Sequence, residues 1–308
     1  MKKVFLFGAF ILVMVMCGAA MAAEKDKVDT GILTYLGTTE GEFQEALDDL
    51  RKALTPLLSE ESAKKEWEDY DLLDGFLSEL VKARRVVHFY DSLMAMQMAL
   101  RARYVDEIVL PEPVVMYLVA NNPKDYEIQF SLNMMPSTIS FGFKAGNVAL
   151  KKDFDTAIKA MKKDGTLMTI QDRFITNLGN NEPEEVKFTE FKGAPVIKVA
   201  VTGDLPPIDY IAADGRATGY NTAILAEIGK RLKRNIRVLS VDAGGRSAAL
   251  ASERADVVFW YRNIEGIKTP KKLGKNLKGR MKDSPADGVI LSEPYYEWDT
   301  DLVVGRSN

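Results

Sequence analysis

The chain has 308 residues, of which 46% are hydrophobic and 28% charged, a balance that suits a globular protein with a real core and excludes disordered, collagenous and polytopic membrane chains. A formal net charge of −3 gives no basic field for nucleic acid. One cysteine and one histidine exclude an intrachain disulfide and argue against a Cys/His zinc site, so neither metal nor cofactor is expected, and a histidine-based triad would have to use His88.

At the N-terminus, Lys2 and Lys3 precede an apolar run from Val4 to Met16, and Ala20-Met21-Ala22-Ala23 follows. This is the arrangement of a secretory signal peptide, 1–22, cut after Ala22. The run is shorter than the ~20 residues that span a membrane. The expected location is periplasmic or extracellular. Lipidation of Cys17 is the competing reading, with Met16 standing where a lipobox prefers a small residue.

Gly31 to Leu36 reads as a strand, and Thr39 with Glu42 forms a capping box before a helical stripe of Phe43, Ala46, Leu47, Leu50 and Leu54. Pro56 ends that helix, and Ser59 to Arg84 carries a second stripe. Val86 to Tyr90 and Asp106 to Leu110 read as strands. Ser92 to Arg103 reads as a methionine-rich helix and Pro111 to Ala120 as a helix with proline at its start. Strands follow at Tyr126 to Phe130 and Thr138 to Phe143, then one or two helices over Leu150 to Phe174 and a polar turn at Asn177 to Glu185. Pro195 to Thr202, Ile236 to Val241 and Asp256 to Trp260 read as strands, separated by helices at Gly219 to Lys233 and Arg246 to Ser252. Alternating strands and helices imply parallel βαβ units and an α/β fold. Lys268 to Lys282 holds seven basic residues and no acidic one. Without aromatic residues to stack bases it reads as a solvated loop, with an anionic surface patch as the alternative.

From Val196 onward the sequence resembles the first lobe of extracytoplasmic solute-binding proteins of the amino-acid-binding type, family 3, with the type 2 periplasmic-binding fold. The likeness rests on Ile197-Lys198-Val199-Ala200-Val201, Asp204-Leu205-Pro206-Pro207, Asp214 to Tyr220 and Ala255-Asp256-Val257-Val258. Ser292-Glu293-Pro294-Tyr295-Tyr296 and the crossing strand Asp301 to Val304 follow in the family's order. The stretch before Val196 is similar to the rest of that fold. Thr30 to Leu33 and Gly37-Thr38-Thr39-Glu40 resemble the opening of the second lobe. Tyr90-Asp91-Ser92, Val105 to Val109 and Pro111-Glu112-Pro113-Val114 resemble its later parts. Residues 138–175, with Lys163-Asp164-Gly165 and Ile170 to Phe174, resemble the segment that returns to the first lobe. The resemblance implies a two-lobed α/β protein with a cleft between the lobes, in circularly permuted order: lobe II at 29–122, a returning part of lobe I at 123–176, a linker at 177–195 and the first half of lobe I at 196–308. Two unrelated fragments in tandem are the alternative.

The resemblance also implies a hinge-closing cleft for a small-molecule solute. Its candidate residues are Thr38, Thr39 and Glu40, where helix amides can hold an anion; Glu112 and Asp204, as acids; Leu205; Trp260 and Tyr261, which can stack on a solute or fill the cleft; and Arg262 and Lys272, as partners for a carboxylate. The family's ligand-holding arginine is Lys272, several residues late, and its ammonium-holding acid is Pro111. Burying unpaired charges is costly, so a solute other than a standard α-amino acid is expected, small and polar or bearing a carboxylate. His88, in an apolar strand, reads as a packed or edge residue, and Met94, Met96 and Met98 as core filling.

The leading function is therefore non-enzymatic: capture of a solute for an ABC-type membrane permease complex, by a monomer without nucleic-acid partners. The alternatives are an exported dehydratase-like enzyme, with Glu112 or Glu40 as a buried general acid, and a sensor or partner module that binds nothing.

Overall fold

A computed structural model describes residues 27–34, 48, 85–263 and 288–307, the side chains of 132–136, 260–263 and 299 excepted. The fold is α/β, as the alternating pattern implies. Within the described residues a nine-stranded sheet runs in the order β2-β1-β3-β12-β4-β10-β5-β9, with β11 also paired to β4. At one end lie β1 (Val28–Leu33), β2 (Arg85–Tyr90) and β3 (Glu107–Pro111), mutually parallel. At the other lie β5 (Val196–Val201), β9 (Asn235–Ser240) and β10 (Val257–Asn263), also parallel. Between them run two long antiparallel strands, β4 (Tyr126–Lys144) and β12 (Tyr296–Arg306). Strand β12 pairs with β3 through Asp301 to Gly305, and β4 pairs with β10 through Ser137 to Gly142. The short β11 (Val289–Leu291) completes this sheet. The sheet is thus two α/β halves joined by a two-stranded ribbon. A separate three-stranded sheet consists of β6 (Asp204–Leu205), β7 (Asp209–Ile211) and β8 (Ala217–Thr218).

The helices form where apolar residues recur every three or four positions. Helix α1 (Leu93–Arg101) starts at Ser92, whose hydroxyl accepts from the Ala95 amide at 3.2 Å, and it buries Leu93, Met96, Ala99 and Leu100. Only Met96 of its three methionines fills core. Met94 and Met98 are 70% and 63% exposed, because an i, i+2 spacing cannot place all three on one helix face. Helix α2 (Glu112–Asn121) has Pro113 in its first turn. Helix α3 (Val148–Asp164) buries Leu150, Phe154, Ala157, Ile158 and Met161, and Gly165 at φ 81° ends it. Helix α4 (Thr166–Gln171) and a π-turn at Asp172–Thr176 follow. Helix α5 (Tyr220–Leu232) is stitched to the small sheet: Tyr220 donates to the Pro207 carbonyl at 3.0 Å and Asn221 to that of Ile208 at 2.9 Å. A Cβ on Gly219, at φ 87°, would stand 2.5 Å from the Pro207 oxygen, so the close approach requires glycine. Helix α6 (Gly245–Ala251) precedes β10.

Two expectations change. The strands expected at Tyr126 to Phe130 and Thr138 to Phe143 are one strand, β4, because β12 pairs with both parts. The crossing strand expected at Asp301 to Val304 extends back to Tyr296. His88 lies on β2 with Nε2 2.7 Å from the Asp29 carboxylate, an edge-strand pair that is about 40% exposed. The basic run, the capping box and, apart from the helical Asp48, the two helices expected over 43–84 lie outside the described residues.

Candidate functional site

The ribbon brings several polar and aromatic groups to the junction of the halves. Helix α1 begins here, and its Leu93 amide donates to the Asp204 carboxylate of β6 at 3.2 Å, a link from one half to the other. Asp204 also raises the pKa of the neighbouring Asp209. That carboxyl is wholly buried. Burial pushes its pKa up to about 6, against hydrogen bonds donated by Thr202 (amide and hydroxyl, 3.2 and 2.8 Å) and the Gly203 amide. Its Oδ1, with Asn221 Nδ2 and Thr222 Oγ1, has no partner among the described residues.

A ladder of rings runs along the start of β12. Tyr295 stacks on Phe141 at 4.5 Å and donates its hydroxyl to Asn221 Oδ1 at 2.9 Å. Tyr220 lies 5.2 Å from Tyr296 and donates to the Tyr295 carbonyl. Tyr296 stacks on Trp298 at 6.0 Å and 27°. The Trp298 indole N–H donates to Asp301 at 3.0 Å. Burial holds the Tyr296 hydroxyl at a pKa of about 12, and the nearby Glu112 charge adds to that. Burial likewise pushes the Asp301 carboxyl up to about 6, with Trp298 opposing, although the residue keeps a partly open edge. Farther along the junction, burial raises the pKa of Tyr117 on α2, and Tyr210 of β7 and Glu182 of the 177–195 segment raise it further.

The residues expected at a ligand are distributed unevenly. Glu112 and Asp204 lie at the junction. Glu112 is exposed in the first turn of α2, so it lacks the burial a general acid would need. Leu205 is 0% exposed and packed in the main core, on β6, which lies against α1. Trp260, Tyr261 and Arg262 lie on β10 opposite Ser140, Ile139 and Thr138, two to four residues from the interrupted part of the ribbon. Thr38, Thr39, Glu40 and Lys272 lie outside the described residues. Sequence reasoning missed the Tyr296–Trp298–Asp301 group. Its one signal was an aspartate leading into the apolar run Leu302-Val303-Val304.

A cavity of about 390 Å³ opens between the 177–195 segment and the β7–β8 turn, lined by Glu182, Glu185, Asp214 and Arg216. Arg216 already pairs with Asp214 and Glu185, so this cavity presents no uncompensated cation. No group of three or more His, Cys, Asp or Glu residues suited to a metal occurs among the described residues. No described helix is long and apolar enough to cross a membrane.

Residues 197–263, about a fifth of the chain, match the family model of bacterial extracellular solute-binding proteins, family 3. Comparison with curated proteins returns no match. Among solved structures, the chain is similar to the binding protein AgaA with agropinic acid from A. tumefaciens R10, at 12% identity and a TM-score of 0.36. That alignment covers 72% of this chain and 55% of AgaA, so the chain spans little more than half of its length. An alkanesulfonate-binding protein, SsuA from Xanthomonas axonopodis pv. citri bound to MOPS, gives 8% and 0.36, covering 92% of this chain and 66% of SsuA. The GluR0 ligand-binding core from Nostoc punctiforme with L-glutamate gives 10% and 0.34, covering 91% and 85%. Likeness this low says nothing of the ligand.

Proposed function

We propose that this chain is an exported solute-binding protein that takes a small polar or carboxylate-bearing solute between its two halves. The observation that carries this reading is the ribbon of β4 and β12, which joins two α/β halves and gathers aromatic and acidic side chains where they meet. The family match over 197–263 falls in one of those halves and supports it. Two bodies joined by a narrow connection can close around a ligand by hinge motion.

The chain order is a circular permutation in this reading, with lobe II at 29–122, the returning part of lobe I at 123–176, a linker at 177–195 and the first half of lobe I at 196–308. In support, the linker is held to the half of β5, β9 and β10. Asn235 of β9 holds it, accepting from the Phe191 amide and donating to the Phe191 and Ala194 carbonyls. Thr218 donates to the Glu184 carbonyl of the same segment. Residues 1–22 would direct export as a signal peptide, and delivery would be to an ABC-type permease.

Thermal-shift screening of the purified chain against amino acids, polyamines, carboxylates and sugars tests the reading. A bound solute at a hundred times its Kd stabilises the native state by about 2.7 kcal/mol, so a saturable rise in Tm is expected. Turnover of the stabilising compound would transfer the protein to the enzyme class. A flat response across the panel would overturn solute capture.

A further inference from the structure

Among the described residues no basic side chain pairs with the Asp301 carboxylate. It is the cross-strand partner of Pro111, and neighbouring residues in an antiparallel pair project from the same face. Asp301 therefore emerges where the side chain of residue 111 does, at the end of β3 and the start of α2. Proline has no N–H, so residue 111 offers no amide to that carboxylate. Among the described residues, only the Trp298 indole donates to it, through one oxygen. A crowded carboxylate with one neutral donor is costly to ionise, and its raised pKa of about 6 reflects that cost. The surroundings are otherwise suited to a positive charge. The Trp298 ring lies beside it, with Tyr296 stacked on Trp298, and aromatic faces attract cations. Glu112 adds a second negative charge within electrostatic reach of Tyr296. An anion placed here would meet the Asp301 carboxylate, whereas a cation would meet that carboxylate beside the Trp298 ring.

We propose that Asp301, beside the Trp298 ring, is the subsite for a positively charged group of the captured solute, an alkylammonium or quaternary ammonium. This inference rests on the solute-capture reading. It adds the sign of the recognised charge and a residue on the crossing strand, and it gives the carboxylate's burial a purpose. A solute bearing both charges meets both requirements.

Titration calorimetry on the full chain tests it, with putrescine and choline as cationic probes and succinate and benzoate as anionic ones. At least one cation is expected to bind at one site per chain. Asp301→Asn should weaken it tenfold or more, Asp301→Glu should weaken it less, and Trp298→Phe should fall between wild type and Asp301→Asn. Circular dichroism of each variant separates lost binding from lost folding, and the charge-retaining Asp301→Glu provides the second variant. Cation binding unchanged in a folded Asp301→Asn would overturn the subsite. Binding of the anions alone would overturn it too, while leaving solute capture standing. Silence from all four probes would also overturn it, and the wider thermal-shift panel would then decide solute capture separately.

Discussion

In the half built on β1, β2 and β3, a polar knot is sealed inside the protein. The buried Arg85 guanidinium pairs with Glu107 and donates to Thr30 at 3.0 Å, and Thr30 donates to Glu107 at 2.8 Å. In the half built on β5, β9 and β10, the interior is a pile of rings. Phe154 meets Phe141 at 5.0 Å and Phe143 at 5.1 Å edge-on, and Phe141 lies against Phe259 and Tyr295. Both arrangements tie strands to their neighbours, but they fail differently. A ring cluster loses stability in proportion to the volume removed. An ionic knot withstands loss of both charges better than loss of one, because a single remaining charge is stranded without water or a partner.

Breaking the knot should give the largest effect. Glu107→Ala removes the buried acid that pairs with Arg85 and should cost about 3–5 kcal/mol by urea denaturation. Replacing both residues, as Arg85→Met with Glu107→Met, should recover most of that loss. A double variant no better than the single one would show that the knot stabilises through its charges. In the opposite half, Phe154→Ala opens a cavity against Phe141 and Phe143 and should cost about 3–4 kcal/mol. A smaller loss would mean that the rings collapse into the space.

Asp209 sharpens the contrast, because the ring-packed half also holds one buried acid. Its folded pKa of about 6 exceeds the reference value of 3.8, so the folded state holds its proton more tightly than the unfolded chain does. The stability it contributes is therefore complete below the unfolded pKa and is lost as pH rises through about 6. Between pH 7 and pH 5 this group alone should add about 1 kcal/mol. Thermal melts of wild type and Asp209→Asn across that range should differ by that amount, and parallel curves would assign the pH dependence elsewhere.

Periodicity carried the α/β reading well in the ring-packed half, since β5, α5, β9, α6 and β10 each show a local pattern and follow one another closely. It missed the ribbon. Polar residues and Pro136 interrupt β4 in the sequence, and nothing local reveals that β12, more than 150 positions later, pairs with both parts. The site suffered for the same reason. Glu112 and Asp204 could be named as candidates because each lies in a motif, whereas Asp301 depends on being opposite Pro111, a pairing across 190 positions. Leu205 was named from its motif position, which says nothing of which way a tight turn folds the side chain.

The interruption in the ribbon has a mechanical meaning. Trp298 pairs with Ser137 and Thr300 with Asn133, so the register shifts where Asp299 meets the stretch Met134 to Pro136. Most of a ladder resists twisting because rotation strains its bonds. Here the register shifts at the crossing point, and Pro136 has no N–H to contribute. Torque between the halves would concentrate in those few residues, like a torsion bar thinned at its middle, and the paired stretches on either side would turn as rigid arms.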